Sequence, residues 1–128
     1  MINRFMFLML MSLSIPMAIS SDAVDQLLSD YGQTTTEPFS AERGQAFWQT
    51  KGAGNLSCAG CHGQDVTNPG KHSRTGKVIA PMARSVNASR LTDVRTIEKW
   101  LFRNCKTVWS RECTVQEKGD VLVWLQQQ

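Results

Sequence analysis

Cys58-Ala59-Gly60-Cys61-His62 is the stretch around which the rest of this 128-residue chain has to be read. Two thiols separated by two residues, with an imidazole directly after the second, form the attachment site of a c-type haem. The thiols can add to the two vinyl groups as thioethers, and the histidine then lies under the iron as its proximal ligand. Ala59 and Gly60 are small and let the backbone approach a porphyrin closely. Two other chemistries use the same residues. A thioredoxin-like dithiol needs the pair between a buried strand and a helix, whereas Asn55-Leu56-Ser57 carries no strand signal. A structural zinc site needs a second ligand pair at short spacing, but Cys105 and Cys113 stand far apart and His72 is isolated. Haem attachment is favoured, with one covalently held haem c as the cofactor.

Upstream of the motif, residues 1–20 have the form of a secretory signal peptide. Arg4 supplies a short positive region, Phe5 to Leu13 an apolar run, and Ala18-Ile19-Ser20 a small-x-small cleavage site. The run is too short to span a bilayer. Export to the periplasm agrees with the chemistry, because c-type haems are attached on the oxidising side of the bacterial inner membrane. Residues 21–40 then read as an N-terminal helix and linker, and 41–128 as the haem domain. About 108 residues remain after cleavage, enough for one small domain whose modest core a covalent haem would enlarge.

Charge is unevenly placed. Without Arg4 the formal net charge falls from +3 to +2. From 21 to 66, Asp22, Asp25, Asp30, Glu37, Glu42 and Asp65 face only Arg43 and Lys51; from 71 to 111 there are ten bases against Asp93 and Glu98. Such asymmetry can steer an acidic redox partner, or the bases can neutralise haem propionates. With no aromatic interleaving among the bases, nucleic acid is not an expected partner.

The periodicity predicts an all-α chain. Ser21 can cap a first helix carrying Val24, Leu27, Leu28 and Tyr31, ended by Gly32. Ser40 can cap a second, Ala41 to Thr50, with Gly44 and Phe47 on one face. Residues 63–89 read as a long loop, which a haem edge beneath would make tolerable. Thr92 can cap a third helix, Asp93 to Asn104, striped by Val94, Ile97, Trp100 and Leu101. Thr114-Val115-Gln116-Glu117 is a capping box for a last helix that buries Val121, Leu122, Trp124 and Leu125. No segment alternates as a strand should. A Gly-x-x-Phe helix before the haem motif and an aromatic amphipathic helix at the end resembles the layout of class I cytochromes c. By that resemblance, Gly44 and Phe47 pack near Trp124 and Leu125.

The sixth position of the iron is open between several residues. Met82, after the rigid Ala80-Pro81, is the conventional ligand of an electron carrier, and His72 would give a bis-histidine haem. Asn104 continues the apolar stripe of the third helix, where an amide needs a partner. Its ordinary explanation is a helix C-cap. Beside it, Cys105 and the remaining Cys113 should pair as a disulfide in an oxidising compartment.

At these residues the chain resembles the sphaeroides haem protein family, oxygen-binding cytochromes c. The likeness runs from about Ala41 to the C-terminus. It is carried by Glu42-Arg43-Gly44, Ser57-Cys58-x-x-Cys61-His62-Gly63, Asp65-Val66-Thr67, Arg74-Thr75-Gly76-Lys77 and Ile79-Ala80-Pro81. Above all it rests on Glu98-Lys99-Trp100-Leu101-x-Arg103-Asn104-Cys105, with Cys113-Thr114 and Glu117-Lys118. The resemblance implies a haem ligated by His62 and, when oxidised, by Asn104, with a disulfide following. It displaces Met82 as the expected ligand. On reduction Asn104 would let go, and the ferrous haem would take O2, NO or CO. Oxygen reduction and nitric oxide dioxygenation are both open to such a site, with Trp100, Trp109 and Phe102 as candidate walls. Expected partners are a dihaem cytochrome c as electron donor and a membrane cytochrome b, for a monomer or weak dimer. The competing reading is a simple electron-transfer cytochrome c with a permanently six-coordinate haem.

Overall fold

A computed structural model describes residues 22–128; the signal-peptide segment and the Ser21 cap lie outside the described residues. Among the described residues five helices form: α1 (Ala23–Gly32), α2 (Ala41–Gln49), the single turn α3 (Cys58–His62), α4 (Val94–Trp109) and α5 (Val115–Gln126). A 3-10 turn covers Ala53–Asn55, and a short antiparallel ladder pairs β1 (Gly70–Lys71) with β2 (Val78–Ile79), Gly70 opposite Ile79 and Lys71 opposite Val78. The ladder corrects the expectation of a continuous loop from 63 to 89. Two residues per strand are too few to leave an alternating pattern. No helix among the described residues is long and apolar enough to cross a membrane.

α5 is the spine. Val121, Trp124 and Leu125 join Trp48, Val66 and Ala83 in one core, while Leu122 joins Val24, Leu27, Tyr31 and Ile97 in a second. A helix packed on both sides must be apolar on two faces, and that is what its sequence provides. Where α2 crosses α5, a Cβ on Gly44 would overlap the Asp120 carbonyl. Phe47 packs against the core containing Trp124 and Leu125, so the expected crossing of these two helices is present. The crossing is locked by Asp120, which is 4% exposed. Its carboxylate accepts from Arg43 Nε at 2.8 Å, Ser40 N–H at 2.7 Å and Gln116 Nε2 at 3.1 Å.

Helix ends follow their caps. Asp22 accepts from Val24 N–H, Ser40 from Arg43 N–H, and Thr114 and Glu117 complete the capping box of α5. At α4 the cap is Asp93, one residue beyond the expected Thr92, and accepts from Thr96 N–H at 2.8 Å. Thr92 Oγ1 donates instead to the Ser89 carbonyl. The larger correction is at the other end. α4 does not stop at Asn104 but continues to Trp109, because Cys105 and Val108 extend its buried row. Ser110, in the left-handed region at φ 55°, ends it. Asn104 is therefore an interior helix residue, not a C-cap.

Candidate functional site

The Cys-x-x-Cys-His motif is itself the turn α3. Ser57 caps it by accepting from Gly60 N–H at 3.0 Å, and Gly63 at φ 82° lets the chain leave sharply. Two neighbours fix it in place. A Cβ on Gly70 would strike the Cys61 carbonyl and the His62 Cα, so β1 runs directly against the motif backbone. Trp48, on α2, donates its indole N–H to the Gly63 carbonyl at 2.9 Å, and its ring lies 5.3 Å from the His62 ring. The sequence reading chose Gly44 and Phe47 on α2 and missed Trp48. The i, i+4 spacing from Gly44 to Trp48 was the available signal, and both residues are buried.

α3 and α4 open onto one cavity of about 980 Å³. Cys58, Cys61, His62, His72, Met82 and Asn104 all line it, so every proposed ligand reaches the same space. Along α4, Ile97, Trp100, Leu101, Asn104 and Val108 fall at three- and four-residue spacing on the cavity side. Trp100 and Phe102 line the cavity as expected of wall residues. Trp109 does not; it stacks on Phe47 at 4.9 Å between centroids. Cys105 and Cys113 meet in disulfide geometry with Cα atoms 5.5 Å apart. The link joins the interior of α4 to the residue before the α5 cap, rather than fixing a loop that begins at Asn104.

The donors fit a haem. The cavity is of porphyrin scale and mostly apolar in its lining residues. The two cysteines outside the 105–113 pair are Cys58 and Cys61, both at its wall. His62 Nδ1 is buried without a hydrogen-bond partner, and burial, then the nearby Arg90 and His72, push the imidazole down to about 4. It is therefore a neutral imidazole, the form that binds a metal. Burial likewise pushes the Cys58 thiol up to about 11. Among the described residues no three His, Cys, Asp or Glu side chains gather into a metal-holding cluster. Lys77, Arg90, Arg103, Lys106 and Lys118 line the cavity beside only Asp93 and Glu117 among acids, a surplus suited to carboxylates such as propionates. Arg90 is fixed there, donating to the Pro81 and Ala80 carbonyls at 2.9 and 2.7 Å.

The bases and aromatics of α4 do interleave, contrary to the sequence reading. Lys99 and Arg103 lie over Trp100 at 5.5 and 5.6 Å, and Lys106 lies over Phe102 at 5.7 Å.

Comparison with known proteins agrees with this architecture. Residues 34–125 match a family model described as a domain of unknown function, DUF1924. The cytochrome c-type protein SHP of Cereibacter sphaeroides is 48% identical over 104 residues, covering 78% of this chain and 80% of that protein. The chain belongs to the sphaeroides haem protein family. The structure of oxidised SHP, an oxygen-binding cytochrome c, matches with TM-score 0.77 at 44% identity, over 84% of this chain and 98% of that one. Cytochrome c'' of Methylophilus methylotrophus is 32% identical over 78 residues, covering 61% of this chain and 54% of that protein. Its oxidised crystal structure matches with TM-score 0.71 at 27% identity, over 81% of this chain and 93% of that one. As a member of the SHP family, the chain has the all-α cytochrome c fold and carries one covalently attached haem c.

Proposed function

We propose that this protein is a periplasmic monohaem cytochrome in which Cys58 and Cys61 hold the haem, His62 is the permanent axial ligand and Asn104 the detachable one. The observation that carries the reading is that Asn104, an interior residue of α4, lines the same cavity as His62. An amide there is not a cap, is half-buried, and has an oxygen to offer to whatever fills the cavity. When bound, haem c would supply an iron that His62 and Asn104 would hold and that, in the ferrous state, could take a diatomic gas.

The side chains divide the work. Trp48 and the backbone around Gly63 and Gly70 hold His62 still. Asn104 offers a neutral amide, a hard and weak donor suited to ferric and not to ferrous iron. A hold of that kind would fail on reduction, and the side chain would then turn away and leave room for O2, NO or CO. The freed amide then has an N–H to donate to the guest. Oxygen binding in SHP and the haem-ligand detachment studied in cytochrome c'' support this reading. Oxygen reduction and nitric oxide dioxygenation both suit the site. A dihaem cytochrome c is the proposed electron donor, in a chain with a membrane cytochrome b, and residues 1–20 the export signal. A permanently six-coordinate electron carrier is the second reading, favoured by Met82, which lines the same cavity.

One pair of spectra decides between them. The dithionite-reduced protein is expected to be high-spin and to take up CO; a low-spin ferrous protein that ignores CO belongs to the carrier reading. Asn104→Ala is expected to open the ferric site to water or azide. A ferric spectrum identical to wild type would remove Asn104 from the ligand set.

A further inference from the structure

Tyr31, Glu98 and Lys118 meet where α1, α4 and α5 converge. The Tyr31 hydroxyl donates to Glu98 Oε1, and the Lys118 ammonium donates to Glu98 Oε2 at 3.3 Å. The same ammonium lies 5.4 Å from the centre of the Tyr31 ring. Tyr31 is buried, and the Lys118 side chain is only 17% exposed. For stability alone the ion pair contributes little, because Glu98 is 36% exposed and the mostly buried Lys118 must offset its own desolvation. What the polar trio adds is direction: it fixes one rotation and height of α4 against its neighbours. Burial and the Glu98 carboxylate raise the Tyr31 hydroxyl above its ordinary range, so it remains a donor.

The trio is close to the candidate ligand in two respects. Glu98 precedes Asn104 on α4, and Lys118 lines the same cavity as Asn104. Cys105, the next residue, is held to Cys113. α4 is thus secured on both flanks of Asn104, by Tyr31 and Lys118 at Glu98 and by Cys113 at Cys105.

We propose that Tyr31 is a positioning residue for the detachable ligand: through Glu98 it holds α4 at the place that sets how readily Asn104 binds and leaves. This rests on Asn104 being a ligand. With both flanks secured the helix stays put, and Asn104 leaves by rotation of its own side chain. Loosening the Glu98 flank lets α4 settle where the amide reaches the ferric position less well. Tyr31 precedes the family-matched segment 34–125, whereas Glu98 and Lys118 lie within it.

The test uses ferric holoprotein, reading the high-spin fraction against temperature together with the denaturant midpoint. Tyr31→Phe is expected to shift the detachment equilibrium about two- to thirtyfold toward the high-spin form. Glu98→Gln carries the same expectation should Tyr31→Phe fail to fold. Asp120→Asn is the control, since it weakens the buried pair between α2 and α5 without touching α4. It should lower the midpoint and leave the spin equilibrium in place. An unchanged spin equilibrium in Tyr31→Phe, or an equal shift in Asp120→Asn, overturns the proposal. If Asn104→Ala differs from wild type while Tyr31→Phe does not, only the positioning role fails; if Asn104→Ala matches wild type, the ligand reading fails with it.

Discussion

Glu117 shows how one side chain can serve two purposes that separate with pH. Its carboxylate accepts from Thr114 N–H at 2.7 Å in the capping box, and from two Arg111 nitrogens at 2.8 and 2.7 Å. The Arg111 hydrogen bond holds the Glu117 carboxyl below its ordinary range, against an opposing effect of burial. A lowered carboxylate contributes stability that is fully present above its unfolded pKa of about 4.3 and is lost as pH falls through the lower folded value. Glu117→Gln keeps an acceptor for the box but not the ion pair. The variant should be less stable than wild type at pH 7 and converge with it in acid, read by thermal unfolding across pH. A constant difference at every pH would assign the whole effect to packing. The capping box was legible in the sequence because it is local, four residues long and chemically specific. The Arg111 bridge was not, because nothing in the spacing says which way an arginine turns after an αL residue.

Among the elements, α2 and α5 cross at a point where backbone meets backbone. At Gly44 a methyl group would fall on the Asp120 carbonyl, which cannot rotate away. Gly44→Ala should therefore cost about 1–3 kcal/mol as overpacking, measured as a lowered denaturant midpoint of the holoprotein with an unchanged slope. Gly70→Ala meets the Cys61 carbonyl and the His62 Cα instead. It should perturb the haem spectrum as well as stability, whereas Gly44→Ala should leave the spectrum alone. Equal spectral effects would mean that the two contacts are not separate. The helices were readable from apolar period and caps, and most boundaries fell within a residue. α4 was the exception. An amide at Asn104 looked like a terminus, yet the buried row resumes at Cys105 and Val108 and carries the helix to Trp109. A single polar residue stops a helix only if its side chain takes the backbone's bonds, and α4 runs on past Asn104 to Trp109, where Ser110 caps it.

At the scale of the whole molecule, two cores share α5, and the cavity lies beside them with α3 and α4 at its walls. The 105–113 link joins one wall to the spine. Replacing both cysteines by serine should cost about 2.5 kcal/mol in the chain-entropy model, read by denaturant unfolding under oxidising conditions. If the link also restrains Asn104, the double variant should change CO association and dissociation rates of the ferrous protein. Unchanged rates with lowered stability would reduce it to a staple.

Local pattern alone was enough to read a helical chain built around a Cys-x-x-Cys-His turn, because that motif, the caps and the apolar periods are all short-range features. It also marked Asn104 and the second cysteine pair as unusual, through their place beside an apolar stripe. Only the tertiary structure decided that Asn104 is a mid-helix residue on the same cavity as His62, that Trp48 steadies the motif, and that Tyr31 reaches Glu98 from another helix. Those facts depend on which faces meet across 15 to 67 residues of chain. No local pattern encodes such meetings; they are set by how α5 is packed from two sides at once.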